Sequence, residues 1–406
     1  MAALSSTRAF LFENAPWLSA GAVLTLLSSF GQTFFISLFA GHIRMEFGLS
    51  HGDWDLIYSI GTTASAIVMV WAGGLADTYR VRTLGQADLL ALALACLMMA
   101  FNVWAAVLPL VIFCLRLTGQ GMAHHIAVVA MGRWFVATRG KALAIATLGF
   151  AFGEAVLPIV FVALMGILHW QTLWIIAAGI ALLGIPVLRR CLVSERTPAS
   201  IAQDVAVTGM KNRHWTRIDA LRHPLVWFMV PALLAPSAFN TAFFFHQVHF
   251  AETKEVTHLA LVAYFPIYTG VSILGMIASG AALDRWGTAR LLPYSQIPMV
   301  AAFLIFAMAQ DGIGFFLGFF AMALTTGANS TLPNAFWAEF YGTRYLGSIK
   351  AMATAIMVLG SAIGPGVTGL LIDLGVGIET QFVWIAGVFL ITTFSMIIGI
   401  NRYKTA

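Results

Sequence analysis

Long apolar runs, separated by short polar segments, follow one another along the entire chain. A helix needs roughly 20 apolar residues to cross the hydrocarbon core of a bilayer, and these runs reach that length. The pattern predicts an all-α membrane protein with twelve spanning helices, numbered here as spans 1 to 12. The predicted spans cover residues 17–41, 54–76, 83–104, 107–132, 141–167, 171–189, 224–249, 257–282, 289–310, 312–337, 348–373 and 381–401.

The composition excludes soluble and disordered classes of protein. Of the 406 residues, 60% are hydrophobic and only 10% are charged, whereas soluble domains average about 45–50% apolar and about 25% charged residues. A disordered chain is excluded as well, because 13% of the residues are aromatic. Twelve spans of roughly 20 residues use about 240 residues, which leaves no room for a second folded domain.

The distribution of basic residues predicts the orientation in the membrane. When the N-terminus is placed inside, all but three of the 22 Lys and Arg residues fall in inside segments. The exceptions are Arg44 and Lys254 in outside segments and Arg116 within span 4. Because cytoplasmic loops are enriched in Lys and Arg, we expect both termini in the cytoplasm. The net charge of +5 therefore reflects membrane orientation, and no nucleic-acid partner is expected.

Two motifs that recur at nearly the same spacing indicate that the two halves of the chain arose by duplication. The form G-x-x-x-D follows span 2 at Gly73 and recurs after span 8 at Gly280, 207 residues later. The form G-x-x-x-G begins at Gly149 in span 5 and recurs at Gly360 in span 11, 211 residues later. Such parallel repeats are an architecture of transporters. We expect a cytoplasmic N-terminus at 1–16, six-helix bundles at 17–189 and 224–401, a cytoplasmic linker at 190–223 and a tail at 402–406.

The polar segment after span 2 resembles the signature of the major facilitator superfamily, G-x-L-A-D-x-x-G-R-K-x-x-L. The matching residues are Gly73, Leu75, Ala76, Asp77, Arg82 and Leu84, and the second copy keeps Gly280, Asp284, Arg285, Gly287 and Arg290. The resemblance implies a monomeric transporter without a cofactor, in which two halves rock about a central site. It assigns the conformational change to Gly73, Asp77, Arg82, Gly280, Asp284 and Arg285. We add Gly364 and Pro365, where close packing and a kink are expected in span 11.

Further motifs resemble the monocarboxylate and oxalate/formate antiporter branch of that superfamily. They are Arg116-Leu-Thr-Gly119-Gln-Gly121 in span 4, Gly132-Arg133-Trp134-Phe135 and Arg139-Gly140-Lys141-Ala142 after it, and the segment 338–347. This likeness implies a small carboxylate as the solute.

Arg116 in span 4 and Glu154 in span 5 are charged residues near the middle of the membrane. A charge at this depth costs several kcal/mol and is usually paired or functional. We expect the two side chains to share a water-accessible cavity or to approach one another. One alternative is a permanent ion pair that braces the N-terminal half. The other is a transport site, in which Arg116 contacts an anion and Glu154 couples transport to protons.

Isolated polar residues in other spans are candidates for substrate contacts. Gln32, Asn240 and Asn329 lie in spans 1, 7 and 10, which line the cavity in the superfamily that the chain resembles. A hydrogen bond between helices is the alternative for each of them. Tyr268 in span 8 is a further candidate, because an aromatic cavity with few charges suits a small, partly apolar solute.

Two pairs of histidines lie in spans 4 and 7. We interpret His124 and His125 as packing residues, and His246 and His249 as a hydrated pair near the outer end of span 7. Proton gating is the alternative for the second pair. No metal site is predicted, because a metal ion needs more converging ligands.

The sequence therefore predicts a secondary active transporter of the bacterial inner membrane rather than an enzyme. Its expected solute is a small organic, monocarboxylate-like anion, moved with protons or in exchange for a counter-solute. The alternative is a proton-driven efflux carrier for apolar or cationic compounds, with Glu154 as the cation ligand. Membrane lipid is the other expected partner, and no ATP-binding loop of the form G-x-x-x-x-G-K-[ST] occurs.

Overall fold

A computed structural model describes residues 2–73, 75–135, 139–194, 208–342 and 345–403. Within these ranges all regular secondary structure is helical, and eleven helices are long and apolar enough to cross a membrane. The predicted span 54–76 corresponds to a helix that is not among these eleven. The count of twelve spans and the cytoplasmic position of the termini therefore stay predictions.

The long helices are labelled α1 to α12 in chain order. In the first half they are α1 (Ala2–Leu27), α2 (His51–Ala72), α3 (Val81–Phe101), α4, α5 (Arg139–Met165) and α6 (Trp170–Cys191). The α4 helix runs without interruption through Leu108–Leu115, Arg116–Ala123 and His124–Trp134, and its middle segment is wound as a π-helix. Shorter helical pieces are Ser28–Gly31, Thr33–Ile36, Ser37–Phe39, Ala40–Phe47, Leu75–Thr78 and Ala105–Val107.

The second half follows the same plan of long helices joined by short ones. Its long helices are α7 (Pro224–Phe245), α8 (Phe265–Trp286), α9 (Ile297–Met308), α10 (Gly312–Tyr341), α11 (Leu346–Asp373) and α12 (Ile378–Tyr403). The shorter pieces are Met210–Asn212, Arg217–Arg222, Gln247–Thr253, His258–Val262, Thr288–Leu291 and Leu292–Tyr294.

The chain divides into two compact units. The first contains α1, α3 to α6 and most of α2, and the second contains α7 to α12 together with Ser50–Asp55, the first turn of α2. Ser50 caps α2: its hydroxyl accepts from the Asp53 amide at 3.0 Å, and the Asp53 carboxylate accepts from the Ser50 amide at 3.1 Å. Asp373 at the end of α11 accepts from the Gly52 amide at 2.7 Å. Both carboxylates thus stabilise the N-terminus of this helix.

Each unit has an aromatic core. In the first unit Phe35 packs edge-to-face against Phe161 and Trp174, with ring centroids 4.8 and 5.4 Å apart. In the second unit Phe243 stacks on Phe306 at 4.6 Å, and Phe319 contacts both rings. Such aromatic pairs add favourable geometry to the burial of a large apolar area.

The outer surface of the helices is also apolar. Leu183 on α6, Leu274 on α8 and Ile391 on α12 are each about two-thirds exposed. Exposed apolar surface on this scale marks contact with lipid rather than water. The molecule is a multi-pass membrane protein whose helices bury aromatic rings inside and present aliphatic side chains to lipid.

Part of the predicted linker 190–223 is folded. The α6 helix continues to Cys191, and residues 195–207 lie outside the described ranges. After them, Thr216 and Asp219 form a capping box at the start of Arg217–Arg222. Trp215 packs against His223 and Tyr341, with ring centroids at 4.9 and 5.5 Å, so this end of the segment belongs to the core of the second unit.

Candidate functional site

The first transmembrane segment is broken in its middle. After α1, residues Ser28–Gly31 form a 3₁₀ turn and Gln32 is extended, with φ −85° and ψ 153°. The helix resumes at Thr33–Ile36. The Phe35 amide, which would donate to the Gly31 carbonyl in an uninterrupted helix, donates to the Gln32 carbonyl instead. The Gly31 carbonyl is thereby released inside the membrane, where an unpaired backbone group is costly.

Arg116 occupies this break. It is the first residue of the π-helical segment of α4, and its side chain is only 2% exposed. Its Nη1 donates to the Gly31 carbonyl at 3.2 Å and to the Thr33 hydroxyl at 3.1 Å. The guanidinium also lies over the Tyr58 ring, 5.5 Å from its centroid, and Tyr58 shares a 2.6 Å hydrogen bond with Thr33. A carbonyl, a hydroxyl and an aromatic face therefore surround one buried cation.

The charge of Arg116 has no carboxylate partner in the part of the chain that is described. Its hydrogen bonds go to Gly31 and Thr33 only, and its buried Nε has no hydrogen-bond partner. Glu154, on α5 of the same unit, is half-buried and is not among the residues that Arg116 bonds. Of the two alternatives for Arg116 and Glu154, the permanent ion pair is not formed.

Two glycines allow the 3₁₀ turn Ser28–Gly31 of the first transmembrane segment to cross α4 at the site. A Cβ built on Gly31 would overlap the Leu115 carbonyl oxygen, and one on Gly119 would lie 2.5 Å from the Gly31 Cα. No other residue type fits this crossing without moving a backbone. The π-helical turn at Arg116–Ala123 lies at the same point, as such turns often do at functional sites.

The other predicted substrate contacts differ in their surroundings. Gln32 is the extended residue of the break itself and is buried. In the second unit, the Tyr268 hydroxyl donates to the Thr326 hydroxyl at 3.1 Å, while the buried Asn240 Oδ1 has no hydrogen-bond partner. Asn329 is half-buried on α10. Of these predicted residues, only Gln32 adjoins the contacts of Arg116, and the assignment of all four to the substrate stays a prediction.

The residues predicted to act in the conformational change lie at helix ends and crossings. The Gly73 carbonyl is 3.1 Å from His125 Nε2, and Arg285 is exposed and stacks on Trp286. Arg82 is at the start of α3, and a Cβ on Gly280 would meet open space. The side chains of Asp77 and Asp284 lie outside the described part of the chain.

The G-x-x-x-G motif that spans 5 and 11 share corresponds to equivalent helix packing in the two units. A Cβ on Gly149 of α5 would overlap the Ala22 carbonyl of the first transmembrane helix. A Cβ on the equivalent Gly360 of α11 would lie 2.7 Å from the Leu234 carbonyl oxygen of α7, and one on Gly364 would overlap the Ala238 carbonyl. The Pro365 carbonyl, next in the chain, lies 3.2 Å from His246 Nε2.

The interpretation of His246 as a hydrated residue is wrong. Its side chain is buried, and its Nε2 lies 3.2 Å from the Asp55 Oδ2 within the second unit. His249 stacks edge-to-face on His51 at 4.5 Å. The Asp55 carboxylate fits against Gly369, where any Cβ would overlap it.

Sequence reasoning missed Asp55, Asp88, Thr33 and Tyr58. Asp88 on α3 is only 7% exposed, and its buried Oδ2 has no hydrogen-bond partner within the described ranges. Both aspartates lie inside the predicted spans 54–76 and 83–104, so a complete inventory of acidic residues in those spans finds them. Thr33 and Tyr58 carry no such signal, because hydroxyl groups are common in membrane helices.

The chain is similar to known membrane transporters in sequence and in fold. Residues 21–312 match the family model described as Major Facilitator Superfamily. A solved bacterial homolog of the human lysosomal transporter Spinster, in an inward-facing and unoccupied conformation, superimposes with a TM-score of 0.75 at 14% identity, over 97% of this chain and 98% of that one. The nucleoside transporter NupG, as a D323A mutant, gives a TM-score of 0.73 at 14% identity, over 94% and 99%. A search of curated proteins finds no match.

Proposed function

Since this chain belongs to the major facilitator superfamily, a family of membrane transporters, we propose that it carries a small organic anion of the monocarboxylate class by alternating access. The resemblance to the superfamily is confirmed, and so is the predicted fold class. The monocarboxylate and oxalate/formate branch is part of the proposal, as are a location in the bacterial inner membrane and action as a monomer.

The observation that carries the proposal is the guanidinium of Arg116. It is buried at the break of the first transmembrane segment without a carboxylate partner among the described residues. A buried charge without a counter-charge is strongly unfavourable, and removing one partner of such a pair typically costs about 3–5 kcal/mol. An anionic solute would supply the missing charge.

The geometry of the guanidinium favours a carboxylate. Nη1 donates to Gly31 and Thr33, whereas Nε has no hydrogen-bond partner among the described residues. An arginine presents its donors in a planar fork that matches the two oxygens of a carboxylate. Tyr58 and Gln32 border the same point and would contact the apolar and polar parts of a small solute.

Glu154 supplies the proposed coupling. When an anion binds beside Arg116 and a proton binds Glu154, the total charge of the occupied unit does not change. Crossing the bilayer is then less costly than for either ion alone. Exchange of one anion for another achieves the same neutrality without a proton, and both modes remain within the proposal.

A thermal-shift screen tests the anion site on purified, detergent-solubilised protein. A ligand at about 100 times its dissociation constant stabilises by roughly 2.7 kcal/mol, so short carboxylates should raise the Tm visibly. Arg116→Gln keeps a donor for the Gly31 carbonyl but removes the charge, and we expect it to abolish this shift. The matched control is Arg402→Gln, at an exposed position, which should leave the shift unchanged.

The same screen separates the alternatives. If carboxylates stabilise Arg116→Gln as strongly as the natural protein, the anion proposal fails. If lipophilic cations stabilise and Glu154→Gln abolishes that effect, the protein is instead an efflux carrier for cations. Uptake into liposomes under a pH gradient then distinguishes proton coupling, which Glu154→Gln should remove, from exchange, which requires solute inside the liposome.

A further inference from the structure

Three arginines surround a cavity of about 320 Å³ where α3 begins and α6 ends. Cavities that bind small molecules start at roughly 300 Å³, so the space is sufficient for one polar group. The lining includes Arg80, Arg82, Thr83, Gln86, Arg189 and Val193, and none of the described lining residues is acidic. The cavity lies within the first unit and is remote in sequence from the Arg116 site.

Further donors point to an anion in this cavity. The buried Gln86 Nε2 has no hydrogen-bond partner in the described part of the chain. The 21-residue helix α3 starts immediately after Arg80, whose backbone is extended and whose side chain makes no capping hydrogen bond. The N-terminus of a helix of this length attracts anions through its exposed amides. Arginine guanidinium groups bind phosphate through paired hydrogen bonds, so the donor set fits a phosphate group.

An apolar stripe leads from the cavity along both helices. On α3, Leu90 and Leu94 are 48% and 54% exposed, and they share a helix face with Thr83 of the cavity. On α6, Leu182 is 40% exposed and lies two turns before Arg189, on the helix face that carries this cavity arginine. The two helices pack closely, since a Cβ on Gly85 would lie 2.7 Å from Leu188. Acyl chains can therefore follow this stripe from the cavity.

We propose that the cavity binds the phosphate group of an anionic phospholipid, with its acyl chains along α3 and α6. The arginines lie at the helix ends predicted to be cytoplasmic, and basic cavities on that side of membrane proteins suit anionic headgroups. A soluble phosphate compound would use the same donors but would gain nothing from the apolar stripe. The inference does not depend on the solute proposed for Arg116.

The test measures binding of short-chain phosphatidylglycerol to the full-length protein in detergent by thermal shift. Phosphatidylcholine with the same chains and inorganic phosphate are the comparison probes. Arg80→Gln and Arg189→Gln should each weaken phosphatidylglycerol binding about fivefold. Arg190→Gln is the matched control, because Arg190 is an exposed neighbour that does not line the cavity. Val193→Asp, at a position 70% exposed, adds a repelling charge without removing an arginine.

The outcomes are distinct. Selective stabilisation by phosphatidylglycerol, weakened by the three cavity variants and retained in Arg190→Gln, supports the site. Equal binding by the natural protein and the cavity variants overturns it. An equal loss in Arg190→Gln indicates general surface attraction, and an equal effect of inorganic phosphate indicates a soluble anion; both results contradict a lipid site, as does equal stabilisation by phosphatidylcholine.

Discussion

Arg116 and Asp55 represent two ways to hold a charged side chain inside a membrane helix bundle. Arg116 is held by a carbonyl, a hydroxyl and a ring, which leaves its charge available to a ligand. Asp55 lies 3.2 Å from the imidazole of His246 in the second unit. The first arrangement suits binding, whereas the second provides a local partner for the charge.

The Asp55–His246 contact should be important for stability. We expect His246→Leu to lower the Tm by several degrees, because removing one partner of a buried pair typically costs about 3–5 kcal/mol. Adding Asp55→Asn to that variant should recover part of the loss. His42→Leu, at an exposed position, is the control. If the double variant is less stable than His246→Leu alone, the two side chains do not act as a pair.

Helix α1 and its crossing with α4 are features of whole elements. Gly31→Ala would push a methyl group into the Leu115 carbonyl, and overpacking of this kind typically costs about 1–3 kcal/mol. We expect a lower Tm and loss of the carboxylate-induced shift, since the Gly31 carbonyl positions Arg116. Gly179→Ala on α6, where a Cβ meets nothing within 4 Å, should leave both unchanged. Equal behaviour of the two variants would contradict the crossing described here.

The helix Arg217–Arg222 and its caps predict a pH dependence. Hydrogen bonds from Thr216 lower the pKa of Asp219, so its stabilising effect is present at neutral pH and disappears only in strong acid. Burial and then Lys211 lower the pKa of His223 below its usual 6.5. The folded state therefore favours neutral His223. Its contribution to the free energy of unfolding is complete above pH 6.5 and is lost as pH falls through the lowered pKa of the folded state.

Hydrogen exchange measures this effect directly. Amides of 208–223 should exchange faster at pH 5.5 than at pH 7.5 after correction for the intrinsic rate. His223→Gln should remove most of the difference, whereas His42→Gln should not. An unchanged pH dependence in His223→Gln would assign the effect to another group.

Sequence periodicity predicted where most helices lie but not where they are irregular. The predicted span 83–104 and the observed Val81–Phe101 nearly coincide, because a long apolar run has few alternatives to a helix in lipid. The break at Gln32 lies inside an apolar run, and no proline marks it. The released Gly31 carbonyl is bonded by Arg116 of α4, a partner 85 residues away in the sequence. The residues around Gln32 give no indication of that partner. The π-helical segment of α4 was likewise not predicted from its local sequence.

The repeat of the whole molecule could be predicted from glycine spacing. Gly149 and Gly360 each pack against a carbonyl of a neighbouring helix in their own unit, as their equivalent sequence positions suggest. The candidate site at Arg116 does not follow the repeat, since the broken helix and its arginine belong to the first unit. The duplication therefore predicts the fold but does not predict which residues form the candidate site.

Orientation is a property of the whole molecule and can be tested by labelling. In a variant without Cys96, Cys114 and Cys191, we expect Met45→Cys to react with an impermeant maleimide in intact cells. Ile218→Cys should react only after permeabilisation, because the adjacent segment is rich in arginine. Both positions are exposed, at 78% and 59%. The reverse pattern would invert the predicted topology.

The bond between Arg116 and Gly31 also constrains the order of biosynthesis. The two residues are 85 positions apart, so the ribosome has released the whole first segment before the arginine exists. Until α4 arrives, no guanidinium is present to satisfy the Gly31 carbonyl, and lipid offers no substitute. The Gly31 carbonyl therefore acquires its guanidinium partner only after α4 has been synthesised and has packed against the first segment.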